Sequence, residues 1–434
     1  MNVVLARTET ATAMDSLFTA SRDRLPGTGK VGEIRRQAFE AFERAGLPHR
    51  RIEEWKYTDL RALMHEVRPL AEKPDAAAHK RAKAALKLVA VAGTTKLVLV
   101  DGVFTAELSD KAPAGVSVKT LREMLESGAA DLLATTANDA MISLNAALVT
   151  DGVVIEVADG AKLAAPLQII HVATVASASA FTRSQVKIGK GARVTLIENF
   201  VAAEGAKTYQ AHDVVLLSLG DGAELTQVRL MADAKDATNI TSAIFSVGAK
   251  TKFNLFNITA GGAVSRYQGF VALAGEGSEL NVNGVNLLNG TQHGDTTLVV
   301  DHAVPHCTSR EVFRAVVDDR AHSVFQGRII VRPNAQKTDG KMMTRALLLS
   351  DEAEADNKPE LEIFADDVTC GHGATSGALD ESLLFYLRAR GLPEKDAQAL
   401  LIRAFVGEAI EGIADDDLRE AVMAAAARWL EARA

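Results

Sequence analysis

Five segments of this 434-residue chain align without gaps: GAKLA from Gly160, GARVTLIEN from Gly191, GAELTQVRL from Gly222, KTKFNLFNI from Lys250 and GSELNVNGV from Gly277. Their starts lie 31, 31, 28 and 27 residues apart. One column holds Leu163, Val194, Leu225, Phe253 and Leu280, all apolar. The next holds Thr195, Thr226, Asn254 and Asn281, all small and polar, which is the inside and outside of a strand. The column before carries Lys162, Arg193, Glu224, Lys252 and Glu279, so neighbouring rungs mostly attract if they stack. A period of this length, made of strands with no helix between them, points to a parallel β-helix in which each coil buries its apolar column against the coils above and below. A sandwich does not keep columns in register. The two ends of such a solenoid expose unpaired strand edges that must be capped or paired with another chain. Helices at both termini are available as caps.

The flanks read as helical. In VGEIRRQAFEAFERAG the residues Val31, Ile34, Ala38, Phe42 and Ala45 recur at three and four, and Gly46 then Pro48 stop the helix. RRIEEWKYTDL follows, with Trp55 and Tyr57 among charges, and reads as an aromatic anchor for a loop. The Ala- and Lys-rich run AEKPDAAAHKRAKAALK suits an exposed helix or a linker. Near the C-terminus Asp380 is placed to N-cap LDESLLFYLRARGLP, whose Leu383, Leu384 and Leu387 face one way. In the next helix Leu401, Ile402, Phe405, Val406, Ala409, Ile410 and Ile413 cover an arc of about 180°, wider than the usual core-facing stripe. That arc packs within a helical domain or offers a docking face. DDDLREAVMAAAARWLEARA, from Asp415, places acids at its start and Arg428 and Arg433 near its end, as a helix dipole prefers. The expected organisation is an N-terminal helical domain over 1–90, a β-helix core over 91–376 and a C-terminal helical domain over 377–434.

The chemistry inventory is short. A formal charge of −8 argues against nucleic acid, which needs a concentrated basic surface. GTGKVGE at Gly27 is too short for a phosphate loop, and C-x-x-C, H-E-x-x-H and G-x-S-x-G motifs are absent. No apolar stretch approaches the 18 residues of a membrane span, and the amino end lacks a cationic start and h-region, so a cytoplasmic protein is expected. The two cysteines are expected to be free thiols in a reducing compartment. In DDVTCGHGATSG, Cys370 and His372 leave the same face of an extended segment and can reach one soft metal, but two ligands do not complete a site. A capped turn between glycines is the alternative. The cluster DHAVPHCTSRE, with His302, His306 and Cys307, has metal-like spacing, yet alternation separates His306 from Cys307, which favours core or surface residues.

The run KTDGKMMTRALLLSDEAEADNKPELEIFADDVTCGHGATSGALDESLLFYLRARGL, Lys337 to Leu392, resembles the C-terminal signature of the SufB/SufD family, the paired scaffolds of the Suf iron-sulfur cluster assembly system. VFQGRIIV and RRIEEWKYTDL resemble that family too, and the wording is more like SufD members than SufB members. One departure is Gly371, where serine is common in the family. The resemblance implies a mainly β fold, a right-handed parallel β-helix flanked by helical domains. It implies a non-catalytic subunit of a SufBCD complex that pairs with SufB through the end of the β-helix and holds the SufC ATPase on its C-terminal helices, around Phe405 and Val406. It also implies a nascent iron-sulfur cluster shared with SufB, with His372 as a ligand and Cys370 as ligand, sulfur relay or redox thiol. A reduced flavin is associated with the whole complex in that family, and no residues here mark a pocket for it. A homodimer is an alternative state. Two rival readings stand beside this one: a polysaccharide-active β-helix enzyme, which needs carboxylates or an Arg/Lys pair along one groove, and a homodimeric structural solenoid.

Overall fold

The computed structural model describes residues 9–64, 66–134, 137–410, 413 and 416–433. The first eight residues, part of the amino end read above, and Asp415 lie outside these. From Leu167 onward each strand pairs in parallel with the next but one, so that each coil of the solenoid is two strands facing one another across a core. One sheet has ten strands and the other nine. The register pairs Val194 with Leu225, Leu225 with Phe253, and Phe253 with Leu280, which are the columns aligned from sequence. All four are buried in the core between the sheets. On the outside, Arg193 Nε reaches Glu224 at 2.8 Å and Asn281 Nδ2 donates to Asn254 at 2.9 Å, as stacked rungs require.

The turn that starts each coil is equally periodic. Gly160, Gly191, Gly222 and Gly277 have left-handed φ between 62° and 70°. Lys250, His306 and Lys337 occupy the same place in other coils with φ of 53°, 61° and 62°. Glycine adopts this conformation without a steric cost, and other residues adopt it when the surrounding ladder holds them there. His306 is therefore an exposed turn residue, while Cys307 and His302 are buried on either side of it. The three do not converge.

The helices lie over the outer faces of the sheets and leave the C-terminal end of the solenoid open, which corrects the expectation that they cap it. The helix Lys30–Ala45 buries Val31, Phe39 and Phe42 in a cluster that includes Phe181, Ile240 and Val264 of the nine-stranded sheet. Trp55 anchors the following loop: Arg266 stacks 3.8 Å from its ring, Arg266 Nη2 donates to the Glu54 carbonyl at 2.7 Å, and Trp55 Nε1 donates to Asp139 at 3.1 Å. Arg266 forms a wholly buried ion pair with Asp295. The helix Ala76–Ala85, N-capped by Asp75, is half-buried against the ten-stranded sheet through Ala82 and Ala85, so it is no linker.

Asp380 caps the helix Glu381–Ala389 as expected, accepting from the N–H groups of Ser382 and Leu383. The wide apolar arc of the helix Glu394–Ile410 faces inward. Ile402, Val406, Ala409 and Ile410 pack with Val228, Phe256, Val285 and Val316 on the outer face of the ten-stranded sheet. Glu408 pairs with Arg314 at 2.8 Å, and Arg314 stacks 5.5 Å from the half-buried Phe405 ring. Val406 is 1% exposed, so the docking face read around Phe405 and Val406 is spent on this chain's own solenoid. On this helix Leu400 is exposed, and the preceding helix, which buries none of its residues, groups three exposed apolar side chains: Phe385 is 74% exposed, Tyr386 54% and Leu383 50%. No helix among the described residues is long and apolar enough to cross a membrane.

Candidate metal centre at the open end of the solenoid

The inward columns run on to the last coil. Leu280 is followed by Ser309, Gly340 and finally Cys370, and Val282 by Glu311, Met342 and finally His372. Cys370 and His372 lie on the terminal strand Thr369–Gly377, which is paired only on the side of Asp339–Leu348. In the other sheet the strand Glu354–Ile363 ends the ladder in the same way. Neither terminal strand buries a residue, Thr369–Gly377 being mostly exposed and Glu354–Ile363 mostly half-buried, and each presents a row of unpaired backbone groups.

Alternation puts Cys370 and His372 on the face that would be the core if another coil followed. Cys370 is half-buried and touches the edge of that core, whereas His372 is exposed. Nothing lies within 4 Å of where a Cβ on Gly371 would be, so the backbone between them is open to an approaching group. Burial pushes the Cys370 thiol above its ordinary value, and Asp339 and Glu311 push it the same way. The thiol is thus protonated at neutral pH in the isolated chain, and a metal binding there must displace the proton. Among the described residues no third His, Cys, Asp or Glu stands close enough to join these two around one ion. The arrangement is half a site.

Beneath it the core turns polar. His302 Nε2 lies 3.0 Å from Ser309 Oγ, and burial lowers its pKa to about 4. Neither carboxylate oxygen of Glu311 has a hydrogen-bond partner, and burial raises that group to about 8. Farther down the solenoid a larger polar group, missed from sequence, gathers His171, Glu198, Asp213 and Arg229. Its signal was available. Glu198 and Arg229 stand four residues after Val194 and Leu225, on the inward face of segments already aligned.

Comparison with known proteins agrees with this architecture. The profile of the SUF system FeS cluster assembly SufBD core domain matches residues 171–405, and that of the SufBD protein N-terminal region matches 9–169. The iron-sulfur cluster assembly protein SufD of Escherichia coli (strain K12) is 31% identical over 89% of this chain and 90% of its own length. A SufBD family protein of Synechocystis sp. is 30% identical over 93% of this chain and 92% of its own. One from Mycobacterium bovis is 33% identical over 58% of this chain and 65% of its own. With a matching core, a matching N-terminal region and a parallel solenoid ending on Cys370 and His372, the chain belongs to the SufBD family of iron-sulfur cluster assembly proteins and is SufD-like within it.

Proposed function

We propose that this chain is a non-catalytic scaffold subunit that pairs its open solenoid end with a SufB-type partner and contributes His372 to the site where a nascent iron-sulfur cluster is assembled as cargo. One observation carries the reading: two potential ligands stand on a terminal strand whose edge is unpaired, and no third ligand joins them among the described residues. A strand edge pairs readily with another chain's strand, and that pairing would bring in the missing ligands. Exposure and an open approach support His372 as the group that meets iron. The raised thiol pKa gives Cys370 a lesser, proton-coupled part. The SufC-type ATPase is assigned to the exposed apolar side of the helix Glu381–Ala389, since an apolar patch left uncovered on a water-soluble surface marks an interface.

The test is iron and acid-labile sulfide measured on the complex isolated anaerobically with its partners. His372→Ala should leave folding and pairing intact, because an exposed side chain shifts stability by about 0.5 kcal/mol or less, and should abolish the cluster. Cys370→Ser should reduce it less. A normal cluster load on the His372→Ala complex would overturn the assignment, and self-pairing of this chain with a full load would replace the partner by a second copy.

A further inference from the structure

Deep in the lumen the solenoid holds a cluster of charged and titratable side chains. His171 lies on the strand Leu167–Ala173 and Glu198 on Arg193–Ala202, both in the ten-stranded sheet, and Asp213 lies across from them on Gln210–Leu219 of the nine-stranded sheet. Each alternates with core residues: Leu167 and Ile169, Val194 and Leu196, Val215 and Leu217. All three side chains therefore point between the sheets. One ligand atom from each lies within 4.8 Å of the other two.

Hydrogen bonding is incomplete. Gln227 donates to Glu198 Oε2 at 2.5 Å and Thr182 donates to Asp213 Oδ1 at 2.6 Å, but Glu198 Oε1 and Asp213 Oδ2 are buried with no partner. Arg229 is close enough to act on both carboxylates as a counter-charge, yet it makes no hydrogen bond to either and gives its Nη groups to Asn257 at 3.2 Å and Thr241 at 2.6 Å, held between the rings of Phe200 and Tyr267. A buried carboxylate oxygen without a donor costs several kcal/mol.

We propose that His171, Glu198 and Asp213 form a site for one divalent first-row metal ion that clamps the two sheets together inside the solenoid. Mixed imidazole and carboxylate donors suit manganese, iron or zinc. Bond lengths near 2.2 Å allow ligand atoms up to about 4.4 Å apart, so a few tenths of an ångström of side-chain movement closes the site. A cavity of about 30 Å³ lined by His171, Thr182, Tyr209 and Asp233 adjoins it, which is room for a water as a further ligand. The site is separate from Cys370 and His372 and does not depend on the role proposed for them.

The test uses the full-length His372→Ala chain, stripped of metal, so that the open end contributes no imidazole. Titrated with Mn²⁺, it should bind one equivalent, show nitrogen hyperfine coupling from His171 in pulsed EPR, and melt at a higher temperature. Adding Glu198→Gln and Asp213→Asn should weaken binding at least tenfold and abolish the metal-dependent rise in Tm, while leaving the metal-free Tm unchanged or higher. If that variant does not fold, the parent alone still decides. No bound equivalent, or bound Mn²⁺ without nitrogen coupling, overturns the proposal.

Discussion

The contrast between Val406 and Phe385 separates packing from docking. Val406→Asp removes about 1.5–3 kcal/mol of apolar burial and puts a carboxylate among Ile402, Val285 and Val316, while the nearby Arg314 is already paired with Glu408. An unpaired buried charge adds several kcal/mol, so the loss should be at least about 4 kcal/mol, a large part of the roughly 5–15 kcal/mol that holds a domain together. Urea unfolding followed by circular dichroism should show the C-terminal helical layer lost at low denaturant. Phe385→Ala behaves oppositely. Its ring is mostly in solvent on a helix with no buried residue, so the midpoint should move by no more than about 0.5 kcal/mol. If the ring is an anchor for the ATPase subunit, its removal should cost about 2 kcal/mol of binding, roughly thirtyfold in Kd, measured by calorimetry with the purified partner. A Val406→Asp chain with an unshifted midpoint would refute the packing argument. A Phe385→Ala chain that binds as tightly as the parent would refute the docking argument.

Arg266→Met should cost about 3–5 kcal/mol in the same unfolding assay because Asp295 stays wholly buried without its cation, and adding Asp295→Asn should restore much of it; a loss under about 1 kcal/mol in the single variant would count against the pair. Glu311 sits at about 8 when folded, against about 4.3 when unfolded. The folded chain therefore binds more protons between those values, and stability falls as pH rises through that window. Glu311→Gln should flatten the decline, with the largest gain in Tm near pH 8 and none near pH 4, and superimposable pH profiles would contradict this. Iodoacetamide at pH 7 should label Cys370 more slowly than a free thiol and should spare Cys307, which is wholly buried; rapid labelling of Cys307 would mean that the core opens.

Much of the solenoid was legible because its physics is local and repeated. One apolar residue per coil, a small polar neighbour and a turn residue able to take a left-handed φ recur along the chain. The ladder joins the same residues that the alignment does. Cys370 and His372 were legible as a same-face pair on the same grounds. Their place at the end of the inward columns was not, because the later rungs carry Ser309 and Gly340, or Glu311 and Met342, where the last aligned segment carries Leu280 and Val282.

The sequence by itself determined the strand period, the helical flanks and the two-ligand motif, since each rests on spacing along one segment. Only the tertiary structure decided which face each helix covers. The arc through Ile402 and Val406 says how much apolar surface the helix must bury, and burial is non-directional, so nothing in the arc says whether a partner or the chain's own sheet will bury it. Once that helix lies on the ten-stranded sheet, the helix before it is left with Phe385 and Tyr386 in solvent. The approach of Asp213 to His171 and Glu198 was decided at the same level, because those strands belong to opposite sheets and meet only when the solenoid closes its coil.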